Sequence, residues 1–241
     1  GHVMITYERQ QAILNYLSEK NFSTVRELSK VVWASESSVR RDVRVLAEKG
    51  YVTLFYGGGV ALPDYANSVM PIGLRDSSNS PVKDELAKRA AEYVFDNAGI
   101  FMDGSSTVRR IMKYISGFSN LKIITYNQQI FNECNNPKIK LYCTGGLFDS
   151  RSNIFLGSSV IEYINRTSAD ICFFSSQALS SGGEISDTSE EETAIRRAML
   201  ARAKKKIFLC DSSKLGLDKT FKLCGKDDID LIICDKKLPW E

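Results

Sequence analysis

Histidine is almost absent from this sequence of 241 residues, which contains one. That residue, His2, belongs to a Gly1-His2 start typical of a cloning remnant, so we set it aside. Without it the chain has no imidazole, which excludes histidine-based acid–base catalysis and histidine metal ligands. We predict neither a metal site nor a cofactor.

Long apolar runs and closely spaced cysteines are missing as well. The longest apolar runs, such as residues 171–174 and 207–210, are far shorter than the roughly 20 residues of a membrane-spanning helix. The six cysteines include no C-x-x-C pair, and several lie inside apolar runs as core residues do. No charged leader followed by an apolar segment opens the sequence. We therefore expect no membrane association and predict a protein of the reducing cytoplasm.

An excess of one charge is also lacking, because 32 Lys and Arg stand against 29 Asp and Glu. The resulting net charge of +3 does not by itself indicate a nucleic-acid-binding protein. The local placement of charge is more informative, since Arg40, Arg41 and Arg44 fall within five residues. Such a cluster can hold phosphates where evenly spread charges cannot.

Residues 4–62 have the pattern of three short helices followed by a β-hairpin. A capping box from Thr24 to Glu27 marks the start of the second helix. Ser35 as N-cap and Gly50 after the last turn bound the third helix. The predicted elements are a first helix around residues 13–17, a second over 24–32, a third over 36–49, and strands over 51–54 and 60–62, which flank three glycines.

The third helix has an apolar face and a basic face. A helix held by its apolar side and presenting Ser and Arg from the other fits the major groove of DNA, where Arg can donate two hydrogen bonds to guanine. A charge run alone would favour a merely solvated face, but the caps, the short turn and the glycine hairpin together favour a DNA-binding unit. The predicted DNA-binding residues are Ser35, Ser37, Ser38, Arg40, Arg41 and Arg44.

The pattern changes beyond residue 80. Residues 63–80 mix Pro, Ser, Asn and Asp without periodicity, which predicts a linker. Residues 81–241 alternate helices with short apolar strands, which predicts a Rossmann-like α/β domain with a mainly parallel sheet covered on both faces. The predicted helices are 82–97, 107–116 and 188–204, and the predicted strands are 100–102, 122–125, 138–143, 171–174, 207–210 and 231–234.

Polar and glycine-rich loops follow several of these strands, at the end of a parallel sheet where ligands bind. Residues 103–107 combine a glycine with hydroxyl groups that can surround a phosphate. Lys214 follows strand 207–210 and brings an amine that could reach a phosphate or a sugar oxygen. Each loop alone is more typical of a capped turn or a solvated lysine. Their combination favours a binding site for a phosphorylated ligand.

The motifs resemble those of one protein family. Residues 35–50 resemble the V-S-x-x-T-[IV]-R-R-D-L-x-x-L-E-x-x-G signature of the DeoR family of bacterial repressors, and residues 191–199 are similar to its E-E-A-x-[VI]-K-R-A-M helix. Four loops resemble the family's D-x-G-[ST]-T, T-N-S, G-G and D-[SH]-S-K motifs in the same order, namely 103–107, 125–127, 145–146 and 211–214. The resemblance covers nearly the whole chain.

The resemblance implies a winged helix-turn-helix over residues 4–62 and, over 81–241, a sensing domain with a fold similar to ribose-5-phosphate isomerase. It implies a DNA-binding repressor of a sugar-metabolism operon, a homo-oligomer (dimer or tetramer) that binds a double-stranded operator and is controlled by a phosphorylated sugar. The implied effector-binding residues are Asp103, Gly104, Ser105, Ser106, Thr107, Thr125, Tyr126, Asn127, Gly145, Gly146 and Lys214.

The sequence departs from the family pattern in the hairpin and in the sensing domain. Leu54 and Tyr56 stand where the family usually has Arg and His, and Gly59 replaces Ala, so we expect weaker wing contacts or a different sequence preference. Residues 171–181 differ from A-F-x-G-x-x-G-[IV], and residues 232–235 replace a final I-T-D. The identity of the sugar is therefore less transferable than the phosphate site.

Two other interpretations stay open. One is a sugar-phosphate isomerase with an appended DNA-binding domain, whose base would have to be a carboxylate such as Asp187, Glu191 or Asp211. Residues 174–181 carry no charge where an isomerase needs clustered carboxylates, so we predict that the protein is not an enzyme. The other is a DNA-binding protein whose C-terminal domain only oligomerises and which binds DNA regardless of any metabolite.

Overall fold

A computed structural model describes residues 6–63 and 80–241. The chain divides into two compact units, Gly1–Ser78 and Asn79–Glu241. Most of the predicted linker over residues 63–80, namely residues 64–79, lies outside the described residues. Within the described ranges, no helix has both the length and the apolar character that crossing a membrane requires.

The N-terminal unit consists of three helices and a small antiparallel sheet, as predicted. The sheet has the strand order β1-β3-β2, and β1 is a strand that the sequence did not predict because three residues are too short to show a period. The elements are α1 (Thr6–Lys20), β1 (Phe22–Thr24), α2 (Val25–Val31), α3 (Glu36–Glu48), β2 (Thr53–Phe55) and β3 (Gly59–Ala61).

Side-chain caps set the ends of α2 and α3. Thr24 Oγ1 accepts a hydrogen bond from Glu27 N at 3.1 Å, and the Glu27 carboxylate accepts one from Thr24 N at 3.1 Å. Ser35 Oγ accepts from Ser38 N at 3.3 Å at the start of α3. Gly50 follows the helix with a φ of 78°, in the left-handed region that glycine favours. These caps satisfy amides that a helix end leaves unpaired, and all of them were predicted.

One carboxylate interrupts the apolar core of this unit. Val39, Val43 and Leu46 of α3 pack against α1 and α2. Asp42 lies among them, is 3% exposed, and forms an ion pair with Arg9 of α1, with Arg9 Nη2 donating to Asp42 Oδ1 at 3.1 Å. A buried carboxylate needs such a partner, so the ion pair fixes which side of α3 faces the core.

We expect Asp42→Ala to destabilise the N-terminal unit, because it leaves the Arg9 guanidinium without this carboxylate. The expected loss of unfolding free energy is about 2 kcal/mol, less than for a fully buried pair because Arg9 is partly exposed. Hydrogen exchange of the α3 amides, measured by mass spectrometry, should accelerate roughly thirtyfold. Glu48→Ala, at an exposed position of the same helix, is the control. Equal protection in both variants would contradict a role for the ion pair.

The C-terminal unit is built on a six-stranded sheet with helices on both sides. Its strands are β4 (Gly99–Met102), β5 (Leu121–Thr125), β6 (Ile139–Cys143), β7 (Leu147–Asp149), β8 (Ile154–Leu156), β9 (Ala169–Phe174), β10 (Ala178–Leu179), β11 (Glu184–Asp187), β12 (Ala203–Cys210), β13 (Phe221–Gly225) and β14 (Leu231–Cys234). Its α-helices are α4 (Ser80–Ala91), α5 (Ser106–Arg109), α6 (Gln128–Glu133), α7 (Ser158–Asn165) and α8 (Glu190–Arg202). Short 3-10 helices cover Arg110–Lys113, Ser212–Lys214 and Lys226–Asp228.

The large sheet is parallel throughout, in the order β14-β12-β9-β4-β5-β6. Alternate residues of its central strands point to opposite faces and are buried on both. In β4, Ile100 and Met102 join one apolar cluster with α4, whereas Phe101 joins a second cluster with α7 and α8. Both faces therefore need apolar side chains, which explains the short continuous apolar runs in the sequence. The predicted parallel α/β domain is confirmed.

Several helix bounds differ from the prediction. The helix predicted over residues 107–116 is a single α-turn, Ser106–Arg109, followed by a 3-10 segment, Arg110–Lys113. In this stretch Arg109 and Arg110 are buried and form ion pairs with Glu133 and Asp84. The helix predicted over 82–97 ends at Ala91. The helix predicted over 188–204 ends at Arg202, where Ala203 enters β12. The β7–β8 hairpin, the small β10-β11-β13 sheet, α6 and α7 were not predicted, since most of these elements are very short.

Candidate functional site

The outer face of α3 is basic. Ser37, Arg40, Arg41 and Arg44 lie three or four positions apart, so they share one face of the helix, and all four are exposed. Arg40 forms an ion pair with Glu36 at 3.5 Å in which both side chains are about half exposed. Such a pair contributes little in water, so the guanidinium can exchange it for a phosphate or a base edge.

The serines at the start of α3 bond to one another. Ser35 Oγ lies 2.9 Å from Ser37 Oγ and donates to Ser38 Oγ at 3.0 Å. Arg41 Nη2 donates to the same Ser38 oxygen at 3.5 Å. Ser35 thus acts as the helix cap. The structure brings all six predicted DNA-binding residues to the first turns of α3 and its N-cap.

The hairpin formed by β2 and β3 adjoins this basic face. In its turn, the carbonyl oxygen of Gly58 accepts a hydrogen bond from Val25 N at 2.7 Å, which ties the turn to the start of α2. A Cβ atom placed on Gly58 would lie 3.9 Å from Arg40 Nη1. The turn of the β2–β3 hairpin and the basic face of α3 therefore meet at Arg40.

In the second unit, the loops selected from the sequence gather at the carboxyl edge of the large sheet. Asp103, Tyr126, Thr144, Ser175 and Asp211 directly follow β4, β5, β6, β9 and β12 respectively. These strands are neighbours in the sheet. The four predicted loops therefore lie along one edge, and the loop after β9 joins them.

A buried ion network lies under this edge. Arg196 of α8 donates from Nε to Asp103 Oδ2 at 2.8 Å, from Nη1 to Asp187 Oδ2 at 3.2 Å and from Nη2 to Glu192 Oε2 at 2.9 Å. The hydroxyl of Tyr126 donates to Glu192 Oε2 at 3.2 Å. Burial, the largest influence, raises the pKa of Tyr126 well above its ordinary value, so the phenol stays protonated. One cation and three carboxylates thus join β4, β11 and α8.

Asp103 and Gly104 lie inside the domain and not on its surface. Asp103 is fully buried, its Oδ1 accepts from Ser105 N at 3.0 Å and Ser105 Oγ at 2.6 Å, and its Oδ2 accepts from Ser175 N at 3.0 Å. A Cβ on Gly104 would lie 2.7 Å from the Tyr126 ring, so glycine is required for packing. Asp103, Gly104 and Tyr126 therefore support the loops from inside the domain. Their contact with an effector stays a prediction.

Two lysines lie at this edge of the sheet, and the charge of each acts on Asp211. Lys214 Nζ donates to Ser175 Oγ at 3.3 Å and is 3.6 Å from Asp211 Oδ2. Lys83 of α4 is 7% exposed, and its Nζ donates to Ser106 Oγ at 3.1 Å. Burial favours a higher pKa for Asp211, but the charges of Lys214 and Lys83 help to lower that pKa below its ordinary value. Both ammonium groups therefore favour the charged form of the Asp211 carboxylate.

Asn127 presents an unsatisfied donor near the same edge. It is fully buried, its Oδ1 accepts from Gln129 N at 3.1 Å, and its backbone N donates to Thr125 Oγ1 at 3.0 Å. Within the described residues, Asn127 Nδ2 has no hydrogen-bond partner. Because an unpaired buried donor is costly, this atom suits an acceptor supplied by a ligand.

The backbone conformation after β6 favours glycine at two successive positions. Gly145 and Gly146 have φ values of 67° and 118°, in the region that other residues rarely adopt. A Cβ on Gly146 would also lie 2.6 Å from the carbonyl oxygen of Leu156. Only glycine fits this turn, which leads from the sheet edge into the β7–β8 hairpin. Among the other predicted residues, Thr107 and Thr125 are buried, whereas Ser105 and Ser106 are half-buried.

Family models match both units. Residues 9–64 match the DeoR-like helix-turn-helix domain, and residues 78–236 match the DeoR C-terminal sensor domain. The chain belongs to the DeoR family of transcriptional regulators. The family resemblance inferred from the motifs is thereby confirmed.

Curated relatives match this DeoR-family regulator over almost its whole length. The HTH-type transcriptional regulator GolR of Listeria innocua is 33% identical over 239 residues, covering 98% of this chain and 92% of GolR. The HTH-type transcriptional repressor GlcR of Bacillus subtilis is 27% identical, covering 97% and 90%. A putative aga operon transcriptional repressor of Escherichia coli O157:H7 is 25% identical, covering 97% and 88%.

Solved structures similar to the chain include a D-ribose-5-phosphate isomerase in complex with phospho-erythronic acid and a probable sor operon regulator from Shigella flexneri. The isomerase is 14% identical with a TM-score of 0.42, over 56% of this chain and 54% of the isomerase chain. The sor regulator is 12% identical with a TM-score of 0.42, over 69% and 88%. At these scores, the fold assignment comes from the parallel sheet and the family models.

Lys83 and Arg196 were not predicted as site residues, although the position of each in its helix carries a recognisable signal. Lys83 precedes Leu86, Ala87 and Ala90 at helical spacing, so it lies within the apolar stripe of α4. Arg196 likewise lies three positions from buried residues on either side in α8. A charged residue within an apolar stripe indicates a buried ion pair or hydrogen bond, because an unpaired buried charge is too costly.

For the DNA-binding face, we expect Arg41→Ala to lower operator affinity roughly tenfold to a hundredfold, because it removes a base or phosphate contact. Fluorescence anisotropy would measure the affinity of the variant for the operator and for a scrambled duplex, which distinguishes a base contact from a phosphate contact. Loss on the operator alone indicates a base contact. Lys20→Ala, an exposed residue of α1 with the same charge change, is the control. Unchanged affinity of Arg41→Ala would exclude it from the interface.

For the buried network, we expect Arg196→Met to lower the unfolding free energy of the C-terminal unit by about 3–5 kcal/mol, because the buried Asp103 and Asp187 and the partly buried Glu192 lose their shared cation. Arg197→Met, an exposed arginine on the same helix that donates to backbone carbonyls of β13, should cost only about 1 kcal/mol. Urea unfolding followed by Trp240 fluorescence in a Trp33→Phe background reports this unit, since these are the two tryptophans. Similar losses for both variants would contradict a central role for Arg196.

Proposed function

We propose that this protein is a cytoplasmic repressor of a sugar-metabolism operon that binds operator DNA through α3 and is controlled by a phosphorylated sugar. The regulatory class follows from the family. The effector class is supported by one observation above all, the two lysine ammonium groups at the carboxyl edge of the sheet, one bonded to Ser106 and the other beside Asp211. Each comes from a different part of the domain, Lys83 from α4 and Lys214 from the turn after β12.

A phosphate suits these two lysines. It carries close to two negative charges near neutral pH and offers three strong acceptor oxygens, so it can bond to both ammonium groups at once. Helix α5 is a single turn, so its dipole adds little, and the positive charge comes from the lysines. The half-buried hydroxyl of Ser106, which accepts a hydrogen bond from Lys83 Nζ, can donate its own proton to the phosphate.

The remaining polar groups of the edge suit the sugar. Asn127 Nδ2 can donate to a hydroxyl or carbonyl oxygen, which would satisfy an otherwise unpaired donor. The turn at Gly145 and Gly146 lies after the adjacent strand β6, so its backbone can line the same side. Phosphate and sugar would thus bind along the carboxyl ends of β12, β9, β4, β5 and β6. This is the edge at which parallel sheets commonly bind ligands.

The candidate bases for an isomerase fit this alternative poorly. Proton abstraction needs a base whose pKa lies near the working pH. Asp187 is buried and paired with Arg196, and the pKa of Asp211 is lowered rather than raised. Glu191 is exposed in the first turn of α8. We therefore infer that the site binds a sugar phosphate without converting it.

Control of DNA binding requires that the effector bind two conformations of the protein unequally. We infer a homo-oligomer, a dimer or tetramer, because helix-turn-helix proteins commonly use two recognition helices on paired half-sites. The sensor domains would hold those helices at the operator spacing in one conformation only. Effector bound by Lys83 and Lys214 would change the balance between the conformations.

The decisive experiment titrates the protein onto a labelled operator fragment, by anisotropy at fixed salt, with and without a panel of sugar phosphates. We expect one compound to shift operator affinity about tenfold or more. We also expect Lys214→Met and Lys83→Met to need roughly tenfold more of it, since each removes one charge-assisted contact. Lys88→Met, an exposed lysine of α4, should respond like the wild type.

The alternatives give different results in this experiment. Specific binding that no compound alters, with no shift in melting temperature, indicates a DNA-binding protein whose second domain only oligomerises. Turnover of a sugar phosphate by the wild-type protein indicates an isomerase. A wild-type response in both lysine variants would place the effector elsewhere.

A further inference from the structure

The wing differs from the recognition helix in its charge. Residues 51–62, which include β2, β3 and their turn, contain no charged side chain. Phosphate contacts by DNA-binding proteins rely largely on Lys and Arg, whose binding releases counterions. This wing has neither, although it adjoins a helix face with three arginines. Any contribution of the wing to DNA binding must therefore come from uncharged groups.

One aromatic side chain projects from the tip of the wing. Tyr56 is 91% exposed, whereas its neighbour Phe55 is 6% exposed and packs edge-to-face on Phe22 with ring centroids 6.3 Å apart. Gly57 and Gly58 then reverse the chain with φ values of 87° and 90°. The tip is thus anchored on both sides of Tyr56, so its ring is presented on a defined turn.

The anchored turn lies next to the basic face of α3. The Gly58 carbonyl is held by Val25 N, and Gly58 lies against the guanidinium of Arg40. Tyr56 is two residues from this contact. A duplex whose phosphates are attracted by Arg40, Arg41 and Arg44 would therefore also meet the wing tip.

We propose that Tyr56 is a further DNA-contacting residue, which packs its ring on the sugar-phosphate backbone beside the groove occupied by α3 and donates its hydroxyl to a phosphate oxygen. This inference rests on the proposed DNA binding by α3. Tyrosine combines an apolar ring with a polar tip, so it suits a surface where deoxyribose and phosphate alternate. Because the side chain carries no charge, its contribution to affinity is independent of salt.

The test measures operator affinity by anisotropy over a range of salt concentrations. We expect Tyr56→Ala to bind about tenfold more weakly at every salt concentration, with an unchanged slope of log affinity against log salt. Tyr56→Phe should bind the operator more tightly than Tyr56→Ala but more weakly than the wild type, and the difference from Tyr56→Ala measures the contribution of the ring without the hydroxyl. Tyr56→Arg should steepen the slope by about 0.9, as one added phosphate contact does.

Tyr7 of α1 provides matched controls, because it is a tyrosine of the same unit and is 69% exposed. Tyr7→Ala and Tyr7→Arg should match the wild type in affinity and slope. Unchanged affinity of Tyr56→Ala, with wild-type melting temperature, overturns the proposal. If wild-type protein itself shows no preference for operator over scrambled DNA, the proposed function fails instead, so the two failures are distinguishable.

Discussion

The buried cation of Arg196 is the contact on which the sensor domain depends. A guanidinium enclosed in protein loses its hydration and is tolerated only with partners of opposite charge. Here three carboxylates surround it, and they belong to the loop after β4, the end of β11 and the first turn of α8. Asp103 extends the network to the backbone of Ser105 and Ser175. The outer loop residues keep their positions because this network holds the loops beneath them.

The alternation of apolar runs and helical stripes was enough to predict the parallel sheet, because strands buried on both faces leave a continuous apolar trace. It could not predict β10 or the β7–β8 hairpin, since two or three residues do not establish a period. The loops at the carboxyl edge were also predictable, but not which of their residues face outward. Tyr126 and Asn127 are adjacent in sequence, yet one supports the network and the other keeps a donor without a partner among the described residues.

Three charged residues lie where helical periodicity calls for apolar ones: Asp42 in α3, Lys83 in α4 and Arg196 in α8. Each is buried, and each bonds to a group on another element. In α3, the burial of the aspartate explains why the sequence Arg40-Arg41-Asp42 combines two exposed charges with a buried one. Asp42 points inward to Arg9, and the helical repeat then turns Arg40 and Arg41 to the outside. Similarity to a family motif locates these residues, but only the fold separates the inward one from the outward ones.

The position of Lys83 has a mechanical consequence. It lies within the first four residues of α4, which is where the chain enters the sensor domain on its way from the DNA-binding unit. A phosphate bound to Lys83 as proposed would therefore contact the helix at which the sensor domain begins, and not a remote part of the domain's core. Along the chain, Lys83 is three residues from Ser80, the first residue of α4. The proposed effector would therefore act on the start of the domain through one helical turn and not through the sheet.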